Sequence, residues 1–96
     1  MSVAVNSERS GQFKRDYKRE AKGLHRETLE NEFFAIVTAL ATDQPLPEKL
    51  RDHALSGAWK DHRDCHIKPD LVLICRKPDN LVLQLVRLGS HSELGL

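Results

Sequence analysis

The sequence predicts an α+β fold, with two N-terminal helices packed on a small antiparallel β-sheet. The two layers form a single domain over residues 1–96. Three observations predict it. Apolar residues recur at three- and four-residue spacing as far as Leu40. The period changes after Gly57, where Leu71–Cys75 and Leu81–Leu88 are short apolar runs rich in strand formers. Lys77-Pro78-Asp79-Asn80 between those runs has turn composition, and short connections favour neighbouring antiparallel strands.

The elements follow in order. Val3-Ala4-Val5 reads as a short first strand. Ser10 is a natural N-cap, and Phe13, Tyr17, Ala21 and Leu24 then share one helical face, with Gly23 as terminator. A second helix is expected from near Thr28, its stripe formed by Leu29, Phe33, Ile36, Val37 and Leu40. Pro45-Leu46-Pro47 should stop it, because proline cannot donate the helical hydrogen bond. Trp59 to Ile67 would form a more polar strand before the two apolar ones, with Lys68-Pro69 in the turn.

Composition narrows the functional classes. Of the 96 residues, 40% are hydrophobic and 30% charged, as in an ordinary globular domain. No apolar run approaches the roughly 20 residues needed to span a bilayer. Met1 to Gln12 lacks the basic and apolar segments of a secretory signal, so a cytoplasmic protein without a membrane partner is expected. Cys65 and Cys75 are too few for a disulfide framework and read as buried thiols. The net charge of +1 hides an uneven distribution: seven Lys/Arg between Arg9 and Arg26, then five acids and no Lys/Arg from Glu27 to Glu48. Lys14, Arg15, Lys18, Arg19 and Lys22 could meet phosphates or form a solvated helix face; the two readings are compatible.

Topology suggests where chemistry could sit. In a meander, the end of one strand lies beside the start of the next. His66, Asp70, Arg87 and His91 therefore fall at or near one sheet edge, with strands about 4.8 Å apart. His53 precedes the strands in a loop, and sequence alone cannot bring it there. A metal site is not expected. His62 and His66 have the spacing that serves zinc on a helix, but on a strand four residues span about 13 Å. No cofactor motif is present.

Several motifs in order then carry a family resemblance. Leu46-Pro47-Glu48-Lys49-Leu50-Arg51-Asp52-His53 comes first, followed by Leu55-Ser56-Gly57-Ala58-Trp59-Lys60. Arg63-Asp64-Cys65-His66-Ile67-Lys68-Pro69-Asp70 precedes an apolar strand, and Arg87-Leu88-Gly89-Ser90-His91-Ser92-Glu93-Leu94 closes the chain. These resemble the YafQ-like branch of the RelE/ParE toxins. Ser10-x-x-Phe13-x-x-Asp16 resembles its first-helix pattern. The resemblance implies a RelE-like fold and an mRNA interferase, an endoribonuclease that cuts mRNA in the ribosomal A site. It implies 16S ribosomal RNA as a contact for the basic helix, and a cognate RelB/DinJ-type antitoxin. By the same resemblance His53, His66, Asp70 and His91 are catalytic, while Arg87, Lys60 and Arg63 bind substrate. Gly95 and Cys75 stand where the family often has aromatics, which bears on base stacking.

Those residue types suit metal-free cleavage, in which the neighbouring 2′-hydroxyl attacks the phosphate. A base takes the hydroxyl proton, an acid protonates the departing 5′-oxygen, and cations stabilise the crowded phosphate. Imidazole titrates near pH 6.5 and can fill either role. The expected assignment has His53 or His66 as base, His91 as acid, and Asp70 orienting a histidine or taking a proton. Two other readings compete: a ParE-like toxin that inhibits by docking, and a degenerate toxin that has lost activity.

Overall fold

The computed structural model describes residues 6–44, 53–54, 59–79 and 81–96, with backbone alone for Asn6, His53 and Ala54. The strand expected at Val3–Val5 and the Pro45–Pro47 helix stop lie outside the described residues.

Ser10 starts the first helix as expected. Its Oγ accepts the Phe13 N–H at 2.9 Å and caps α1 (Gly11–Glu20). Phe13 is buried, and Tyr17 and Ala21 pack against the core. Leu24 departs from the expected stripe and is 95% exposed. The reason is length: α1 ends at Glu20 with Ala21 as its C-cap, so Leu24 and Gly23 lie beyond the last helical turn.

The second helix begins at Arg26 and comes in two pieces, α2 (Arg26–Asn31) and α3 (Phe33–Ala41). Glu32 separates them with φ −119°, off the helical value. Leu29, Ile36 and Leu40 are buried, and Phe33 and Val37 pack on the same core. Phe13, Tyr17 and Phe33 tie α1 to α3, with ring centroids 5.3–6.0 Å apart.

The sheet has five strands in the order β1-β5-β4-β3-β2. They are β1 (Asn6–Arg9), β2 (His53–Ala54), β3 (Arg63–Lys68), β4 (Leu71–Asp79) and β5 (Val82–Gly89). The last three form the expected antiparallel meander. Two features depart from the expected sheet, one in strand direction and one in a strand boundary. β1 pairs parallel to β5, which makes the sheet mixed. Trp59 lies in a turn rather than in a strand, and β3 begins four residues later, at Arg63.

Alternation along β4 separates the two faces of the sheet. Leu71, Leu73 and Cys75 join Cys65, Ile67, Leu83, Leu85 and Leu88 against the helices. Val72 and Ile74 point to the other face, where Leu94, Trp59 and Val86 cover them. Each large buried side chain is worth about 1.5–3 kcal/mol relative to exposure, so the thicker helix-side cluster dominates stability.

β5 is flanked by β1 only as far as Leu85, whose carbonyl takes the Ser10 N–H. Beyond that point α1 supplies the partners through side chains. Ser10 Oγ donates to the Val86 carbonyl at 2.7 Å, and Asp16 Oδ2 accepts the Leu88 N–H at 3.0 Å. Arg19 Nη2 donates to the Leu88 carbonyl at 3.0 Å.

Candidate functional site

The open face carries the chemistry. His66 stands opposite Val72 in the β3–β4 register and therefore shares that face. Val72 in turn stands opposite Gly89 on β5, just before the last helix, α4 (His91–Leu94). A capping box fixes α4: Ser90 Oγ accepts the Glu93 N–H, and Glu93 Oε1 accepts the Ser90 N–H. Gly95 ends it at φ 71°, a left-handed conformation that suits glycine. Leu94 is buried against Val72 and Ile74 and anchors the turn.

This architecture sets His91 against His66. Their Nε2 atoms are 2.9 Å apart, with ring centroids at 5.0 Å. A hydrogen bond between two imidazoles requires one Nε2 to donate and the other to accept, so the two rings differ in tautomer or share an added proton. Asp64 Oδ2 lies 3.8 Å from His66 Nε2, and its side chain is 7% exposed. Its carboxylate thus lies beside the imidazole pair. Asp64 is an acid that sequence reasoning passed over; two residues before His66 on one strand, it shares that residue's face by alternation alone.

The structure gathers the expected residues unequally. His66 and His91 come together. The His53 side chain is outside the described residues, but its backbone pairs opposite Asp64 in β2, so a short strand that the sequence does not announce brings it beside β3. Asp70 does not join the imidazole pair. Ile67 is an extra residue in β3, a bulge between the His66–Val72 and Lys68–Leu71 pairings. Past that bulge Lys68 reaches Glu32 at 3.3 Å, and Asp70 reaches His25 Nε2 at 3.4 Å. Both are partners on the helix layer.

Arg87 is also engaged. A second bulge, with Val86 as the extra residue, sets Arg87 opposite Ile74. Its Nε donates to Asp16 Oδ2 at 2.7 Å and its Nη2 to Oδ1 at 3.4 Å. Asp16 is 2% exposed. Lys60 and Arg63 are exposed, Arg63 at the start of β3 opposite Ala54 and Cys75.

Lys14, Arg15, Lys18 and Lys22 are exposed on or just past α1. Arg19 differs from them. Its guanidinium contacts Asp16, Glu20 and Glu93 at 3.3–3.5 Å as well as the Leu88 carbonyl, so it works as an internal clamp. Cys65 and Cys75 are buried, as expected. Among the described residues no group of three or more His, Cys, Asp or Glu could hold a metal ion, and no helix is long and apolar enough to cross a membrane.

Comparison with known proteins assigns the family and matches the fold. The family model for the bacterial toxin of type II toxin–antitoxin systems, YafQ, matches residues 5–95. The mRNA interferase toxin YafQ of Escherichia coli K12 is 39% identical over 88 residues, 91% of each chain. The metal-bound toxin from Helicobacter pylori superposes with TM-score 0.79 at 46% identity, covering 94% of this chain and 98% of that one. YafQ in the E. coli DinJ–YafQ toxin–antitoxin complex gives TM-score 0.78 at 35% identity, covering 96% and 98%. An α+β domain with an imidazole pair on its open sheet face, matched over nearly its whole length by such proteins, is a toxin of the type II toxin–antitoxin class. The chain belongs to the YafQ family.

Proposed function

We propose that the protein is a ribosome-dependent endoribonuclease that cleaves mRNA in the A site without a metal ion, in the cytoplasm. The observation that carries this reading is the 2.9 Å approach of His66 and His91. In-line attack by a 2′-hydroxyl needs a base on one side of phosphorus and an acid on the other. Two imidazoles on a common rim meet that need once the phosphate enters between them. His66 or His53 takes the 2′-hydroxyl proton, His91 protonates the leaving 5′-oxygen, and Asp64 balances charge on the pair. Arg87 would offer the part of its guanidinium that Asp16 does not occupy to a phosphate oxygen, with Lys60 in the turn before β3 and Arg63 at the start of that strand. Asp70 keeps its place in the catalytic set on the family resemblance alone, since its carboxylate pairs with His25 here.

The exposed Lys14, Arg15, Lys18 and Lys22 would bind ribosomal RNA. The E. coli relative solved with DinJ supports a DinJ-type antitoxin as the cognate partner. The test is cleavage of mRNA on ribosomes by His91→Ala, in buffer that keeps the magnesium ribosomes need and contains a chelator selective for transition metals. Wild-type protein should cut under those conditions. The variant should lose about 10²–10⁴-fold, the typical worth of one proton-transfer group. Near wild-type rates would remove His91 from the mechanism, and loss of wild-type cutting on chelation would overturn the metal-free chemistry.

A further inference from the structure

We propose that Asp16 is a positioning residue for the cleavage reaction: from α1 it holds Arg87 so that the guanidinium meets the scissile phosphate already oriented. This rests on the endoribonuclease reading and deepens it. Burying an acid is costly unless its charge is compensated and its oxygens are hydrogen-bonded. Asp16 is almost wholly buried and meets both conditions. Oδ2 accepts the Leu88 N–H at 3.0 Å and the Arg87 Nε–H at 2.7 Å. Oδ1 accepts from Arg87 Nη2 at 3.4 Å and lies 3.4 Å from Arg19 Nη1.

β1 ends opposite Leu85, so this carboxylate fills the rim that β1 leaves open along β5. Backbone and side chain lock in sequence there: the Leu88 N–H fixes the carboxylate, and the carboxylate fixes the guanidinium. Asp16 grips Arg87 side-on, through Nε and Nη2. Nη1 has no partner among the described residues, and with the outer N–H of Nη2 it forms the fork that suits a phosphate. The Arg87 side chain is partly exposed, so that end is open to a ligand. Arg87 comes two residues before Gly89, about 7 Å at strand rise. Gly89 pairs with Val72 and Val72 with His66, so Arg87 flanks the row that carries the imidazole pair.

Orientation is what this grip supplies. A free arginine loses rotamer freedom when it takes hold of an anion, and one already pinned loses little. A cation also stabilises a developing phosphorane best when nothing must reorganise during the reaction. The negative charge of Asp16 acts in the opposite sense, because it damps the field of Arg87. Arg19, on the same oxygen as Arg87 Nη2, offsets that damping. Asp16→Asn separates holding the strand from holding the arginine. Its remaining oxygen keeps the Leu88 N–H, while its amide NH2 opposes Arg87 Nη2, donor against donor.

The experiment has two arms. In the first, wild type, Asp16→Asn, Arg87→Gln and the double variant cleave mRNA on ribosomes, at a temperature where circular dichroism shows all four folded. Arg87→Gln keeps an amide donor for the buried acid, so the comparison does not rest on a damaged fold. Asp16→Asn should lower kcat about 10–100-fold, with KM, set by ribosome docking, nearly unchanged. In the Arg87→Gln background the same change should cost less than about twofold, because the group it orients is gone. Ile36→Val, a core truncation that also destabilises the fold, should cleave at the wild-type rate. Equal losses from Asp16→Asn with and without Arg87 would overturn the positioning role. In the second arm, His91→Ala protein is titrated with a short fluorescent single-stranded RNA and followed by anisotropy. Adding Asp16→Asn should weaken binding several-fold when Arg87 is present and leave it unchanged beside Arg87→Gln. That binding pattern without any wild-type cleavage would sink the nuclease reading and leave Asp16 and Arg87 standing as a phosphate grip. Cleavage and binding both indifferent to Asp16→Asn would overturn the proposal.

Discussion

Asp16→Ala should cost about 3 kcal/mol of stability, and the structure says why. The Asp16 side chain is 3% exposed and accepts from three groups. Truncation leaves the buried Leu88 N–H without its acceptor, a loss of about 1–2 kcal/mol. It also strips the partner from Arg87, whose side chain is 20% exposed. Breaking a fully buried pair costs about 3–5 kcal/mol, and the partial exposure of Arg87 reduces that to about 1–2. Arg19 is 44% exposed and adds little. At about 4–8 °C per kcal/mol for a domain of this size, the midpoint should fall by roughly 12–24 °C. Asp16→Asn retains one oxygen for the Leu88 N–H and should lose only about half as much. Urea and thermal unfolding followed by circular dichroism measure both variants. An alanine variant within about 1 kcal/mol of wild type, or an asparagine variant as damaged as the alanine one, would refute the reasoning.

Two further outcomes concern the last helix and the first. The Glu93 carboxyl titrates below its ordinary value because of its hydrogen bonds to the Ser90 backbone and side chain, with Arg19 adding to the effect. A depressed native value contributes stability above the ordinary carboxylate range and loses it as pH falls through the native one. The stability gap between wild type and Glu93→Gln should therefore be present at pH 7 and close below about pH 4. Thermal midpoints across that range test it, and a gap independent of pH would contradict the capping role. Reversing charge at Lys14, Arg15 and Lys18 should weaken ribosome association and lower the slope of log affinity against log salt by up to about one unit for each phosphate no longer neutralised. Sedimentation with ribosomes at several salt concentrations reads this, and an unchanged slope would mark the helix face as merely solvated.

The helix stripes and the strand meander are legible in the sequence because both depend on local periodicity. Phe13, Leu29, Ile36, Leu71 and Leu83 all fall where their spacing puts them. The parallel pairing of Asn6–Arg9 with Val82–Leu85 is not legible, since it joins segments more than seventy residues apart and leaves no local mark. The site is legible in part. His66 and His91 meet because they share the edge that the meander predicts. Asp70 misses that meeting because one extra residue, Ile67, breaks the alternation that a register argument assumes. Sequence alone leaves Arg87 open to a phosphate, but half of its hydrogen-bonding edge is taken by Asp16, an acid that helical periodicity gives no reason to pair with a strand.

The clasp of Ser10, Asp16 and Arg19 on β5 has a consequence for how the molecule keeps to itself. A bare strand rim invites another polypeptide to dock by ladder hydrogen bonds, the first step toward tangled assemblies. From Val86 to Leu88 the groups that would extend such an invitation are occupied by side chains of α1. Helix and rim thus protect one another, and loosening the clasp would convert a closed border into a template for strand addition.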